Sequence, residues 1–172
     1  VLVTSGALSR IKYGIVHYDS PDERGIDVAL VYNPSTFKVI YSEPLKVNLP
    51  GNDPTRDILH VKGKINTGEI LHVYVNHWPS RREGKELSNP KRMAAAQVLR
   101  KSLDSIQRLE KSPNILILGD FNDEPSDNSI VKGLKARRPE KDFNNTTLYN
   151  LLYPQFLHGE GSLYYKDWDM FD

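Results

Sequence analysis

Between residues 13 and 76 the apolar positions come in short clusters rich in β-branched and aromatic residues, with turn chemistry between them. That pattern predicts strands at 13–18 (YGIVHY), 28–32 (VALVY) and 37–41 (FKVIY), the first two separated by the acidic loop "DSPDERG". A loop rich in Pro, Gly and Asn, "LPGNDPTRD", leads to a strand at 58–65, and "NTG" at 66–68 supplies a hairpin turn. The return strand at 69–76 (EILHVYVN) is apolar on both faces in its middle. It is expected inside a sheet covered on both sides.

The period then lengthens. Met93, Ala96, Leu99, Leu103, Ile106 and Leu109 recur at steps of three and four, which makes one apolar helical stripe. Ser88 or Asn89 is the expected cap, Pro90 sits in the expected first turn, and Ser112-Pro113 is the stop signal. A strand follows at 114–118, whose unbroken apolar run at 115–118 reads as central. Beyond it the pattern weakens to a short helix near 127–136, a charged loop, and an extended stretch at 161–165. The alternation in "DWDMF" then resembles the start of another strand. The reading is one mixed α/β domain without internal repeats, expected to be a truncated one spanning 1–172.

Composition changes this picture little. A hydrophobic share of 38% with 26% charged residues is an ordinary globular balance. With 23 Lys and Arg against 22 Asp and Glu, no overall basic footprint for nucleic acid emerges. The most basic segment, Lys132, Lys135, Arg137, Arg138 and Lys141, could reach an anionic polymer, although most such runs are merely solvated. The absence of cysteine excludes disulfides, zinc–thiolate sites and thiol nucleophiles, and is compatible with cytosolic and exported proteins alike. No apolar run approaches the roughly 20 residues of a membrane-spanning helix, and none reads as a signal peptide.

Two stretches carry candidate chemistry. In "ILILGDFND" an apolar strand ends in Gly119 and then in Asp120, Asn122 and Asp123. Ligands of sheet-based folds sit beyond strand ends, where loops present polar groups. Asp120 and Asn122, two apart, leave one face of an extended segment. The acid can orient or deprotonate a water while the amide holds an oxygen. The plainer alternative is a simple Asp/Asn turn. In "VYVNHWPSRREG", His77 likewise emerges at a strand end, beside Trp78 and the donors Arg81 and Arg82, surroundings suited to an anionic oxygen. Arg81, Arg82 and Lys85 are expected in a solvated loop, and the other histidines (His17, His60, His72 and His158) as packed or solvated residues.

Taken together, "NHWPS", the amphipathic helix and "ILILGDFND" resemble the endonuclease/exonuclease/phosphatase superfamily. "RGIDVALVYNP", "GNDPTRDILHVKGKI" and "GSLYYKDWDMFD" resemble further segments of it in the same order. The resemblance implies a deoxyribonuclease-I-like α/β sandwich of two packed β-sheets flanked by helices. It also implies hydrolysis of a phosphate ester by in-line attack of water with a divalent cation, Mg²⁺ or else Mn²⁺ or Ca²⁺.

By the same resemblance, His77 bonds the scissile phosphate and Asp120 orients or activates the water. Asn122 holds that carboxylate and a phosphate oxygen, and Asp172 orients a second histidine. Asp120 and Asn122 are the metal contacts within the chain. Arg56, Trp78 and Arg24 are substrate-binding candidates. No residue matches the family's N-terminal Asn box, its Gln-Glu motif or its Ser-Asp-His motif, which are expected before Val1 and after Asp172. The expected activity is that of a phosphodiesterase or nuclease, acting as a monomer on a phosphate ester such as nucleic acid. The alternatives are a phosphatase or sphingomyelinase-like hydrolase of a small or lipid phosphate, and a non-catalytic binding module of the same fold.

Overall fold

The computed structural model describes residues 12–172. Strand β1 (Gly14–His17) pairs antiparallel with β2 (Ala29–Tyr32) in a small two-stranded sheet. The main sheet has the order β3-β4-β5-β6, formed by Phe37–Leu45, Ile58–Ile65, Ile70–His77 and Asn114–Asp120. Its first three strands are antiparallel, and β6 joins β5 in parallel through the crossover helix α1 (Lys85–Leu109). That crossover length is what a parallel connection requires.

Side-chain alternation divides the sheet into two faces. Ile58, Tyr74, Ile115 and Ile117 face α1, whose Ala95, Ala96, Leu99, Leu103 and Ile106 close over them. Leu59, Val61, Val73 and Val75 face the other way and pack with Phe37 against Val16, Leu30 and Tyr32 of the small sheet. The molecule is therefore an α/β sandwich in which two sheets pack together and a helix covers the far face. Strand β5 is buried along its middle on both sides, as its composition demanded.

Three sequence expectations change. Strand β6 is an edge of the described sheet and not its centre: Leu116 and Leu118 are 44% and 36% exposed. An apolar run reports burial potential without saying which neighbours supply it. Helix α1 begins one turn before the expected cap, after Gly84. Pro90, which lacks an N–H, lies inside the helix and cannot donate to the Glu86 carbonyl, while side chains bond the two carbonyls before that one. Ser88 Oγ donates to the Gly84 carbonyl (2.6 Å), and Arg92 Nη2 donates to that of Lys85 (2.9 Å). Leu109 closes no part of the stripe, being 82% exposed.

The expected helix near 127–136 is a π-helical turn, Ser129–Leu134. A short helix α2 (Tyr153–Leu157) was not foreseen. The final stretch forms a hairpin of β7 (Leu163–Tyr165) and β8 (Asp167–Asp169).

Candidate active site

Strands β5 and β6 run parallel and end together, with His77 in register with Asp120 and Asn76 with Gly119. The chain then turns. Gly119 has φ +115°, and a Cβ there would stand 2.1 Å from the Asn76 carbonyl oxygen, so the two strands meet only because this residue is glycine. Gly119→Ala is expected to lower stability by more than about 1 kcal/mol, measured as a fall in urea midpoint. An unchanged midpoint would show that the strand ends tolerate separation.

At the shared end, His77 Nε2 lies 3.8 Å from Asp120 Oδ2. Asn122 adopts a left-handed conformation, φ 51°, in place of the extended one expected. Its backbone N–H, not its side chain, donates to Asp120 Oδ1 (2.8 Å). Its amide Nδ2 donates to the Trp78 carbonyl (3.0 Å). The turn reading is realised: an Asx turn fixes the direction of the Asp120 carboxylate. His77, Asp120 and Asn122 converge from two strand ends, with Asn122 buried and the other two partly open to solvent.

Burial pushes the Asp120 carboxyl above its ordinary range, opposed by the Asn122 N–H and by His77, while the Asp172 carboxylate adds to the rise. Burial, and after it the Arg56 guanidinium, pushes His77 below the ordinary imidazole value, with Asp120 opposing. The pair therefore combines a neutral imidazole with a carboxylate whose basicity is enhanced. Asp172 reaches this neighbourhood because the Phe121 N–H donates to the Phe171 carbonyl (2.8 Å).

The other candidates are placed differently. Trp78 is 1% exposed, its Nε1 donates to Asn76 Oδ1 (3.0 Å), and Phe121 stands edge-on to it at 5.0 Å. It packs beneath the site and offers no stacking surface to a substrate. Arg56 is buried with its donors committed: Nε to the His77 carbonyl (3.0 Å), Nη2 to that of Trp78 (2.7 Å), and Nη1 to Asp22 (2.8 Å). It clamps the backbone that carries His77. Arg24 forks onto Asp22 from the solvent side, and the two arginines, Arg24 foremost, hold the Asp22 carboxyl far below the usual range.

Arg81 is not a solvated loop residue. It donates to the Asn122 carbonyl (2.7 Å), pairs with Asp123 and Asp127, and lies 4.5 Å over the Phe171 ring. With buried Arg92, which meets Asp123 at 2.7 Å, it fixes the loop after Asn122. The sequence reading puts Arg81 in a solvated loop and does not single out Arg92, because their acids lie 31 to 46 positions away. The one available signal was the cluster of Asp123, Glu124 and Asp127, more acid than a single turn needs.

Two clefts flank the cluster. One of about 420 Å³ is lined by Arg24, Arg56, Pro79, Ser80 and Arg82. The other, about 360 Å³ and largely apolar, is lined by Gly119, Phe121, Leu152, Met170 and Asp172. Among the described residues, one group of three His, Cys, Asp or Glu side chains has ligand atoms close enough to share a cation. It is His17, Asp19 and Asp27, none of which belongs to this cluster. Asp120 and Asn122 supply oxygen atoms of the kind Mg²⁺ and Ca²⁺ prefer, and Mg²⁺ commonly binds through only one or two carboxylates while keeping waters.

Strand ends bearing His, Asp and Asn over a helix-backed sheet define a deoxyribonuclease-I-like α/β sandwich. A family model described as the Endonuclease/Exonuclease/phosphatase family matches residues 1–172, and the chain belongs to that family, whose members hydrolyse phosphate ester bonds. No curated protein matches the sequence.

Similar solved structures include the human Nocturnin catalytic domain with bound sulfate anion (19% identity, TM-score 0.56, covering 72% of this chain and 47% of that one). ANGEL2, a 2',3'-cyclic phosphatase, is similar at 17% identity and TM-score 0.58, over 72% of this chain and 36% of that one. Truncated TDP2 of Caenorhabditis elegans matches at 19% identity and TM-score 0.52, over 67% and 42%. At these identities the likeness is one of fold. The chain spans half or less of the length of each of these three. No helix among the described residues is long and apolar enough to cross a membrane.

Proposed function

We propose that the protein is a divalent-metal-dependent phosphoesterase acting on phosphodiesters. The observation that carries this reading is the convergence of His77, Asp120 and Asn122 at the paired ends of β5 and β6. Asp120, with its carboxyl pushed up and one oxygen already held, orients and deprotonates the attacking water. Neutral His77 donates a hydrogen bond to a phosphoryl oxygen, and Asn122 fixes the turn while offering its amide to the same anion. Asp172 orients a partner group beyond Asp120. Asp120 and Asn122 would hold the cation, Mg²⁺ foremost. When bound it neutralises charge on the phosphoryl oxygens. The diester preference draws support from ANGEL2, since a 2',3'-cyclic phosphate is itself a diester. With Trp78 buried, no aromatic candidate of the sequence reading remains to stack a base, and nucleic acid stays one substrate class among several.

The test incubates the full-length protein with Mg²⁺ and a chromogenic diester, a chromogenic monoester or plasmid DNA. Diester hydrolysis that a chelator abolishes and Mg²⁺ restores is the expected result. Release from the monoester alone would end the diesterase reading. Titration adds a second expectation. Followed by carboxyl NMR without the cation, Asp120 should titrate at a higher pH than an ordinary Asp (about 3.9), and added Mg²⁺ should bring that value down. His77 is pushed below the ordinary imidazole value, so its own protonation adds no loss of activity near neutrality.

A further inference from the structure

On the α1 face of the sheet, far along β5 from His77, two buried histidines touch. His60 Nε2 lies 3.0 Å from His72 Nδ1, and their rings stack at 5.2 Å with Tyr74 against His60 at 4.5 Å. The pair continues into a carboxylate at each end. His60 Nδ1 meets Glu43 Oε1 at 3.1 Å, and His72 Nε2 meets Glu110 Oε2 at 3.2 Å. Tyr41 Oη donates to the other oxygen of Glu43 (2.9 Å), and Lys62 Nζ to the other oxygen of Glu110 (2.7 Å). The Lys62 ammonium, followed by His72, keeps the Glu110 carboxyl below its ordinary value, so it brings no proton of its own.

Counting protons decides the charge of this strip. Three short contacts join four ring nitrogens and two carboxylates, and each needs one proton, supplied by a ring nitrogen. Two neutral imidazoles carry two. We propose that His60 and His72 form a buried proton-binding site that holds three ring protons, and so one positive charge, shared between Glu43 and Glu110.

The charge resides on His72, which donates from both nitrogens, while His60 is the neutral Nδ1–H form. Burial favours that division, since desolvation pushes His60 below the ordinary imidazole value against the pull of Glu43. The surrounding charges then balance: Glu43 from β3 and Glu110 just beyond α1 against Lys62 from β4 and the shared proton. Tyr74 from β5, pushed up to about 12 by burial and bonded to Ser102, stays a neutral phenol, with Arg100 of α1 beyond it.

The site ties β3, β4, β5 and the C-terminal end of α1 together over a bounded pH range. Raising pH removes the third proton, sets two lone pairs against each other, and releases either Glu43 or Glu110. The stabilisation that the third proton brings is thus lost when rising pH removes that proton. Lowering pH far enough adds a fourth proton, on His60. Because His60 is depressed in the fold, that costs stability as pH falls below about 6.5.

Nitrogen-detected NMR of the histidine rings in the full-length protein, near neutral pH, tests the assignment. His72 is expected with protons on both nitrogens and His60 with one on Nδ1. Two neutral rings would overturn the proposal. Glu110→Gln offers His72 an amide donor, so the variant is expected to lose the third proton and show His72 neutral at the same pH, with its fold intact by circular dichroism. A His72 that stays doubly protonated in that variant would also overturn it.

Discussion

Asp120→Asn is expected to lower turnover on a chromogenic diester by about 10²–10⁴-fold, the range for losing a positioned general base, with little change in KM. The substitution isolates chemistry from structure. An asparagine oxygen can still accept the Asn122 N–H that now holds Asp120 Oδ1, so the turn persists. What disappears is a carboxylate whose proton affinity is raised by burial. Steady-state kinetics of wild type and variant at one Mg²⁺ concentration give the ratio. Activity within a few-fold of wild type would remove Asp120 from the mechanism.

Trp78→Ala is expected to destabilise the protein by about 3–5 kcal/mol, as removing a large buried aromatic does. That is a large part of the roughly 5–15 kcal/mol that holds a domain folded. Trp78 joins the α1 core to the site. Its ring packs with the buried residues of α1 and against Phe121, and its Nε1 satisfies Asn76, whose own amide donates to the Leu118 carbonyl. Truncation opens a cavity under both strand ends and leaves the Asn76 oxygen unpaired. Urea titration followed by circular dichroism measures the loss. A cost under about 1 kcal/mol would mean the indole is not the packed anchor its burial indicates.

Periodicity was informative wherever one element decided its own burial. Strand β4 falls at 58–65 as read, β5 within one residue, and the stripe of α1 from Ala96 to Ile106 is the face that meets the sheet. It failed where a distant neighbour decides. Leu116 and Leu118 carry the same apolar signal as Ile115 and Ile117, yet only the latter pair finds a covering helix. The start of α1 was missed because Pro90 is read locally as a first-turn residue. The Ser88 and Arg92 side chains bond the Gly84 and Lys85 carbonyls of the earlier turn only once that turn has formed.

The site shows the same division. The convergence of His77, Asp120 and Asn122 was legible because His77 and Asp120 end strands whose apolar pattern is plain and Asn122 follows two residues later. Arg56 and Trp78 carried a signal of importance without revealing its kind, and their support of the backbone under His77 appears only with their partners in place. Arg81 and the His60–His72 pair depend on acids 17 or more residues away, so the pattern immediately around them does not show what they bind.

The central claim is that water, directed by Asp120, attacks a phosphorus atom held between His77 and Asn122. Hydrolysis of a diester by the full-length protein in ¹⁸O-labelled water tests it most directly, with the products read by mass spectrometry. One labelled oxygen on the phosphate-bearing product, formed at a rate that collapses in Asp120→Asn, is the result this account predicts. Label appearing in the released alcohol, or unchanged label incorporation in the variant, would contradict it.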